Sequence, residues 1–357
     1  MNAINRPMPK IYFYIPSQEL IDKVPATIQG YWGWIHGAIK SMPVQLPSGE
    51  SCTWMGPYSW TIQAYIYLRN QGFPCALTAF IPDEGIVISH SKFLPVFLKP
   101  SNRQFIVELK PDKFLECIYA NFVIVQNGRD PVHNGAKRIL IRSAFVNNWP
   151  QPGLVSRDPN RGDRFENICF MGNAVEFLEE ANVLGSEIRG LGLNWAMTPR
   201  EYWHDYSEVD AVVAVRSNDS LMFDRKPSAR LTNAWLAGVP AIVSPDIAFE
   251  DIKKSELDYI PARNIPEIIA GLKCLMKDIK LRRAMVENGR KRSGEFNAER
   301  NVQKWVEIIE QQIIPEYVRW AKSPLRRNLF YLMRISAHKM NKLDPDIREK
   351  NTSKLVR

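Results

Sequence analysis

Arg225-Lys-Pro-Ser-Ala-Arg-Leu-Thr-Asn-Ala-Trp-Leu-Ala-Gly-Val-Pro-Ala-Ile-Val-Ser-Pro245 is the stretch on which the fold turns. It reads as a loop, a short helix and a buried strand. Pro227 suits a first helical position, where its fixed φ fits and its missing N–H would have no partner anyway. Leu231, Ala234, Trp235 and Gly238 recur at helical spacing and form one apolar stripe. Gly238 and Pro240 end the helix, and Ala-Ile-Val-Ser is the short apolar run of a strand covered on both faces. The chemistry lies at the start. Arg225, Lys226 and Arg230 bring three cations to a helix N-terminus, whose open N–H groups and positive dipole end favour an anion such as a diphosphate. The same charges equally describe a solvated loop before an ordinary amphipathic helix.

Outward from this stretch, strands and helices alternate in two blocks. The first holds strands at Ile11–Pro16, Cys75–Phe80, Ile86–His90, Phe105–Leu109, Phe122–Gln126 and Lys137–Arg142, with helices at Ser59–Asn70 and near Lys113–Tyr119. Tyr31-Trp-Gly-Trp-Ile-His-Gly is too rich in Gly and Trp for a regular element and reads as a loop. Residues 151–163, full of proline, glycine and charge, have the composition of an interdomain linker. The alternation then restarts with Asn167–Gly172, a helix near Val175–Leu184, Asn194–Met197 and Asp210–Arg216. Helices follow at Asn264–Lys277 and Ile279–Glu295, then a long amphipathic one from Arg300 to Trp320, kinked near Pro315. Such alternation predicts an α/β protein of two Rossmann-like lobes, residues 1–150 and 164–300, facing a central cleft, with a C-terminal helical extension and basic tail at 301–357.

The chain has 357 residues, 45% hydrophobic and 24% charged, with a net charge of +9. Residues 319–357 hold eleven Lys/Arg against three acidic residues, so the preceding 318 are almost neutral. That distribution disfavours a nucleic-acid-binding body and fits a basic tail on a neutral enzyme. Pro324–Met340 mixes apolar, aromatic and cationic residues. This is the composition of a helix on an anionic membrane surface, and equally of a helix packed on the body. The five cysteines (Cys52, Cys75, Cys117, Cys169, Cys274) lack metal-ligand spacing and read as reduced core thiols of a cytoplasmic protein. No apolar run reaches the ~18 residues of a membrane span.

Four passages resemble glycosyltransferases of the two-lobed GT-B fold, closest in layout to the large retaining group (family 4-like, glycosyl transferases group 1). They are Leu231–Val243, similar to that family's Glu-Ala-x-Ala-x-Gly-x-Pro-Val-Val signature; Tyr206–Ser217, the strand before it; the helical run Ile265–Phe296 with its Asp278 turn; and Gly85–His90, a strand ending in a substrate-facing His. The second lobe is matched over residues 165–315. Two departures mark a divergent branch. The family's paired glutamates fall on Arg225 and Asn233, and Asn173 replaces the Arg that usually follows the first strand of that lobe.

The resemblance implies a glycosyltransferase acting on a nucleotide-sugar donor and a glycan or lipid-linked acceptor in cell-surface polysaccharide synthesis. It implies no metal and no cofactor. Arg216, Arg225, Lys226, Ser228 and Arg230 are expected on the diphosphate; Gly172, Asn233 and Asp246 on the nucleoside or sugar, with Glu250 nearby. Gly33 and His36 are expected in an acceptor-side loop. His90, Asp83 and Glu84 are the candidate catalytic bases. Two rivals share this site: a sugar-nucleotide epimerase and a non-catalytic nucleotide-sugar-binding protein.

Overall fold

Six short apolar runs in the first block and five in the second pair into two separate parallel sheets. The structure, a computed structural model, describes residues 8–53, 55–110, 117–134, 142–173, 177, 181–216 and 225–339. The described chain divides into two compact units, one of residues 1–146 with 302–357 and the other of 147–301.

The strands of the first unit are β1 (Ile11–Tyr14), a two-stranded hairpin β2 (Val44–Gln45) and β3 (Ser51–Cys52), β4 (Ala76–Thr78), β5 (Gly85–His90), β6 (Gln104–Lys110), β7 (Phe122–Val125) and β8 (Arg142–Phe145). The main sheet is parallel throughout in the order β4-β1-β5-β6-β7-β8. The second unit has β9 (Asn167–Phe170), β10 (Asn194–Met197), β11 (Ala211–Ala214), β12 (Ala241–Val243) and β13 (Ile260–Pro261), parallel in the order β10-β9-β11-β12-β13. Central strands such as β7 and β11 are buried along their whole length, as helix-covered parallel strands must be. In each unit the second strand of the main sheet lies on the far side of the first from the third, which puts a topological switch point at β1/β5 and at β9/β11. Ligands of open α/β sheets bind beyond the carboxyl ends of the strands at such a point.

The helices are α1 (Gln18–Ile21), α2 (Ile28–Ser41), α3 (Gly56–Asn70), α4 (Pro131–Asn134), α5 (Ala181–Gly190), α6 (Ala229–Ala237), α7 (Ile247–Ile252), α8 (Ile265–Lys277), α9 (Ile279–Ser293), α10 (Ala298–Ile308), α11 (Ile314–Lys322) and α12 (Pro324–Lys339). Helix α2 overturns the loop expected at Tyr31–Gly37. Thr27 caps it by accepting from the Gly30 N–H, and Tyr31, Ile35, Ala38 and Ile39 form a buried helical stripe that outweighs the low helix propensity of its three glycines. The central helix α6 starts at Ala229 with Ser228 as its N-cap, two residues later than Pro227 suggested. It ends at Gly238, whose φ of 74° is the left-handed C-cap conformation that glycine adopts without strain.

Two further boundaries differ from the sequence reading. Residues 151–163, expected as a linker, belong to the second unit. Val155 bridges to Asp205, the Arg157 N–H donates to the Ala237 carbonyl, and Arg157 and Arg161 both bind the Asp210 carboxylate, at 2.7 Å each. Residues 302–339, expected as an appended extension, return to the first unit: Trp305 is fully buried, its ring 6.3 Å from that of Phe13. The break expected near Pro315 is a π-helical turn at Ile309–Ile313 joining α10 to α11. The expected strand at 137–142 and helix near 113–119 fall largely outside the described residues, as does half of the helix expected near 175–184, whose described residues 181–184 open α5. Cys274, read as a core thiol, is exposed on α8. Among the described residues no helix is long and apolar enough to cross a membrane.

Candidate active site

The carboxyl edge of the second sheet collects most of the residues expected on a donor. Gly172 lies two residues beyond β9, Arg216 two beyond β11 and Asp246 three beyond β12, so three adjacent strands deliver them to the β9/β11 switch point. Helix α6 brings the rest, with Arg225, Lys226 and Ser228 leading into its N-terminus and Arg230 in its first turn.

Arg230 and Gly172 are in direct contact. The Arg230 guanidinium carbon sits 4.8 Å from the centre of the Phe170 ring, a cation–π contact. A Cβ added to Gly172 would stand 2.7 Å from the Arg230 Nη2 and 2.8 Å from its Nε, so only glycine leaves room for that guanidinium. Helix α6 is thereby linked to the end of β9 by a charged side chain laid on an aromatic ring. Phe170 is the member of this group that sequence reading passed over. Its signal is an aromatic residue two positions before a glycine at a strand end.

Arg216 is 5% exposed. Its guanidinium pairs with the Asp246 carboxylate and its backbone N–H donates to Ser244 Oγ at 3.3 Å. Phe249 lies under it, 5.7 Å from the guanidinium carbon. The two residues assigned from sequence to diphosphate and sugar therefore form one ion pair at the ends of β11 and β12. Arg225, Lys226 and Ser228 are all buried at the entrance to α6. Ser228 accepts with its backbone carbonyl from Leu231 and Thr232, and its hydroxyl makes no cap bond. Asn233, expected on a nucleoside, is 8% exposed and accepts with Oδ1 from the Gln151 N–H at 3.1 Å, which ties the 147–153 segment to α6. Glu250 accepts from the Tyr259 hydroxyl and so serves the core.

Strand polarity separates the candidate bases of the first unit. His90 ends β5 at the carboxyl edge of the β1/β5 switch point, where Ser89 Oγ donates to the Tyr14 carbonyl at 2.7 Å. Asp83 and Glu84 precede β5 and lie at the amino edge, roughly 20 Å from His90 at ~3.3 Å per residue. Both are exposed, and Glu84 pairs with Arg103 at 3.5 Å. The three cannot act on one substrate atom. The His90 ring is 1% exposed, and its Nδ1 accepts from the Lys92 N–H at 3.1 Å. A neutral imidazole accepting at Nδ1 carries its proton on Nε2, so this ring is set to donate rather than to take a proton. Gly33 and His36 lie within helix α2 instead of a loop. Gly33 has open space where a Cβ would go, and His36 packs edge-on against Trp32 at 4.5 Å.

A cavity of about 690 Å³ also lies in the second unit, at the opposite, amino edge of its sheet, among Arg157, Asp210, Gly238 and Arg282. Its inner arginines are bonded internally: Arg157 to Asp210, and Arg282 to the Asp163 and Leu275 carbonyls. Asp210 also accepts from the N–H groups of Glu166 and Asn167. Burial raises the Asp210 pKa, but these donors together outweigh it and hold the carboxyl below its usual range. The cavity wall is thus a structural mesh. Among the described residues no group of three or more His, Cys, Asp or Glu is placed to hold a metal.

No family model matches the chain, and no curated protein matches it. Solved structures do. Sucrose-phosphate synthase from Thermosynechococcus elongatus is 10% identical, over 72% of this chain and 78% of that one, with a TM-score of 0.47. Anabaena Alr3699/HepE, solved with UDP and glucose, is 10% identical over 85% of this chain and all of that one, with a TM-score of 0.49. S. aureus TarM, solved with UDP and a glycerol-linked GlcNAc, is 11% identical over 76% and 63%, with a TM-score of 0.44.

Proposed function

We propose that the protein is a GT-B glycosyltransferase that moves a sugar from a nucleotide-sugar donor to a glycan or glycolipid acceptor, without a metal. One observation carries this reading. The β9/β11 switch point is built from Gly172, the Arg230 guanidinium on Phe170, the Arg216–Asp246 pair and a cationic helix entrance at Arg225–Lys226. A leaving nucleoside diphosphate gains negative charge as the glycosidic bond breaks. Fixed guanidinium groups and a helix N-terminus stabilise that charge with little reorganisation, and one such contact is worth ~2.7–4 kcal/mol of barrier. The resemblance of residues 165–315 to the donor lobe of family 4-like enzymes supports the same assignment. His90, an Nε2–H donor at the β1/β5 switch point, suits a hydrogen bond to a sugar hydroxyl better than general base catalysis.

A second reading, nucleotide-sugar binding without transfer, draws support from the same polarity argument. Asp83 and Glu84 stand at the amino edge, and the His90 Nδ1 is engaged by Lys92. One experiment separates the readings. The protein is incubated with a panel of UDP-, GDP- and ADP-sugars, with and without glycan and lipid-linked acceptors, and free nucleoside diphosphate is measured. Acceptor-dependent release supports transfer. Binding without release supports the second reading, and an altered sugar in the absence of acceptor marks an epimerase. Failure to bind any of the panel refutes all three.

A further inference from the structure

Helix α12 covers the first unit with one face and leaves the other open. Arg334 is fully buried, its Nε donating to the Ile118 carbonyl at 2.6 Å, and Tyr331 donates to the Pro100 carbonyl. On the opposite face Leu325 is 80% exposed, Leu329 54%, Leu332 64% and Met333 38%. Their spacing of four, three and one places them in one stripe about two turns long. Folding does not require such a stripe, because the inward face already anchors the helix.

The charge around the stripe has one sign. From Arg319 to Lys339 there are six basic residues and no acidic one. Lys339 is exposed at the C-terminal end of α12, and Lys322 is exposed at the end of α11, two residues before α12 begins. Beside its first turn, Arg142, Arg319 and Arg326 share the single buried carboxylate of Glu316, so that cluster keeps a net charge of +2. An apolar stripe edged by cations complements a surface that is apolar at depth and anionic at its boundary. A second copy of this chain would oppose like charges across the contact. Residues 340–357 carry five basic against three acidic residues, so they add to the positive charge instead of neutralising it.

We propose that α12 docks the protein on an anionic lipid surface, with Leu325, Leu329, Leu332 and Met333 entering the headgroup boundary and Lys322 and Lys339 on the anionic headgroups. This surface is independent of the donor site in the second unit. The test is co-sedimentation of the full-length protein with phosphatidylcholine vesicles, either pure or containing about 30% phosphatidylglycerol. Binding to the anionic vesicles is expected to exceed binding to neutral ones by at least about tenfold and to weaken with salt. The double variant Leu329→Ser/Leu332→Ser should reduce vesicle partition by at least about tenfold, while its melting curve and nucleoside diphosphate binding stay as in the parent. Lys322→Gln/Lys339→Gln should reduce the preference for anionic vesicles. A parent protein that stays in the supernatant overturns the proposal, as does unchanged partition of the double Leu variant. A concentration-dependent dimer that Leu329→Ser/Leu332→Ser dissolves, with no vesicle binding by the parent, assigns the face to a second copy instead.

Discussion

Gly172→Ala should cost the protein its grip on a nucleoside diphosphate although the new methyl group touches no ligand. The added Cβ would lie 2.7 Å from Arg230 Nη2, 2.8 Å from its Nε and 2.8 Å from Phe170 Cζ, well inside ordinary van der Waals contact. The guanidinium must leave the Phe170 ring, giving up a cation–π contact worth ~0.5–2 kcal/mol and its aim toward the end of β9. If Arg230 holds phosphate, Arg230→Ala removes a charge-assisted hydrogen bond of ~1.5–3 kcal/mol, or about 10- to 150-fold in Kd. Gly172→Ala should approach that loss by displacing the same group. The two should then fail to add: the double variant should bind UDP, GDP or ADP within about 0.5 kcal/mol of Arg230→Ala alone. Isothermal titration of the four proteins with whichever diphosphate binds completes the cycle. Melting temperatures run alongside separate the two effects, because the clash with Phe170 remains in both backgrounds and lowers stability without touching affinity. Full additivity, or unchanged affinity in Gly172→Ala, removes Arg230 from the diphosphate site.

Other outcomes test the frame that holds the site. Asp210→Asn leaves Arg157 and Arg161 without their shared buried anion and should destabilise the second unit by about 3–5 kcal/mol, read as a fall in denaturant midpoint. The carboxyls of Asp210 and Asp258 both titrate below their usual range. In each case burial pushes the pKa up and is outweighed by bound donors: Arg161 and backbone N–H groups on Asp210, and the Lys254 N–H, Asn288 and Arg292 on Asp258. Their stabilisation is therefore complete above the unfolded carboxylate pKa of about 3.9 and is lost as pH falls through the lower folded values, so melting temperature should drop steeply below pH ~4. Asp210→Asn should flatten that drop; an unchanged profile counts against it. Trp305→Ala should cost the first unit about 3–5 kcal/mol, which hydrogen exchange in β1 would report. Of the five thiols, Cys274 alone should react promptly with a thiol reagent in the native protein. Burial pushes Cys75 and Cys169 up to about 11 and raises Cys117 further, so rapid reaction at Cys117 would contradict the core described.

Local pattern was enough for elements whose signal lies within a dozen residues. The run from Leu231 to Val243 announces a helix, a left-handed glycine stop and a buried strand, and Asp278 announces the cap of α9. Long-range partnerships were not legible. The prolines and charges of 151–163 look like a linker because nothing in the segment shows that Arg157 and Arg161 share a carboxylate some fifty residues on. Helix α2 was hidden because propensity scores its glycines but not the cap at Thr27 or the cover over Tyr31 and Ile35. The Arg230–Gly172 contact joins residues 58 apart and follows only once β9 and α6 share an edge.

The placement of the candidate bases is different, since the sequence already held what was needed to sort them. In a parallel sheet every strand points the same way, so residues before a strand and residues after it fall on opposite edges. Asp83 and Glu84 come before Gly85, and His90 closes the same strand. That order alone places the two carboxylates with the amino edge and the imidazole with the carboxyl edge. Chemical aptitude, two carboxylates beside a turn, had suggested them as equals of His90. Strand direction outranks aptitude here: a side chain some 20 Å from the switch point, at ~3.3 Å per residue, takes no proton there whatever its pKa. Asp83→Asn and Glu84→Gln should therefore leave acceptor-dependent diphosphate release within about twofold of the parent, whereas His90→Ala should reduce it at least about tenfold by removing a donor to the sugar. A tenfold loss in either carboxylate variant, with an unaltered melting curve, would place the reacting hydroxyl at the other edge of the sheet.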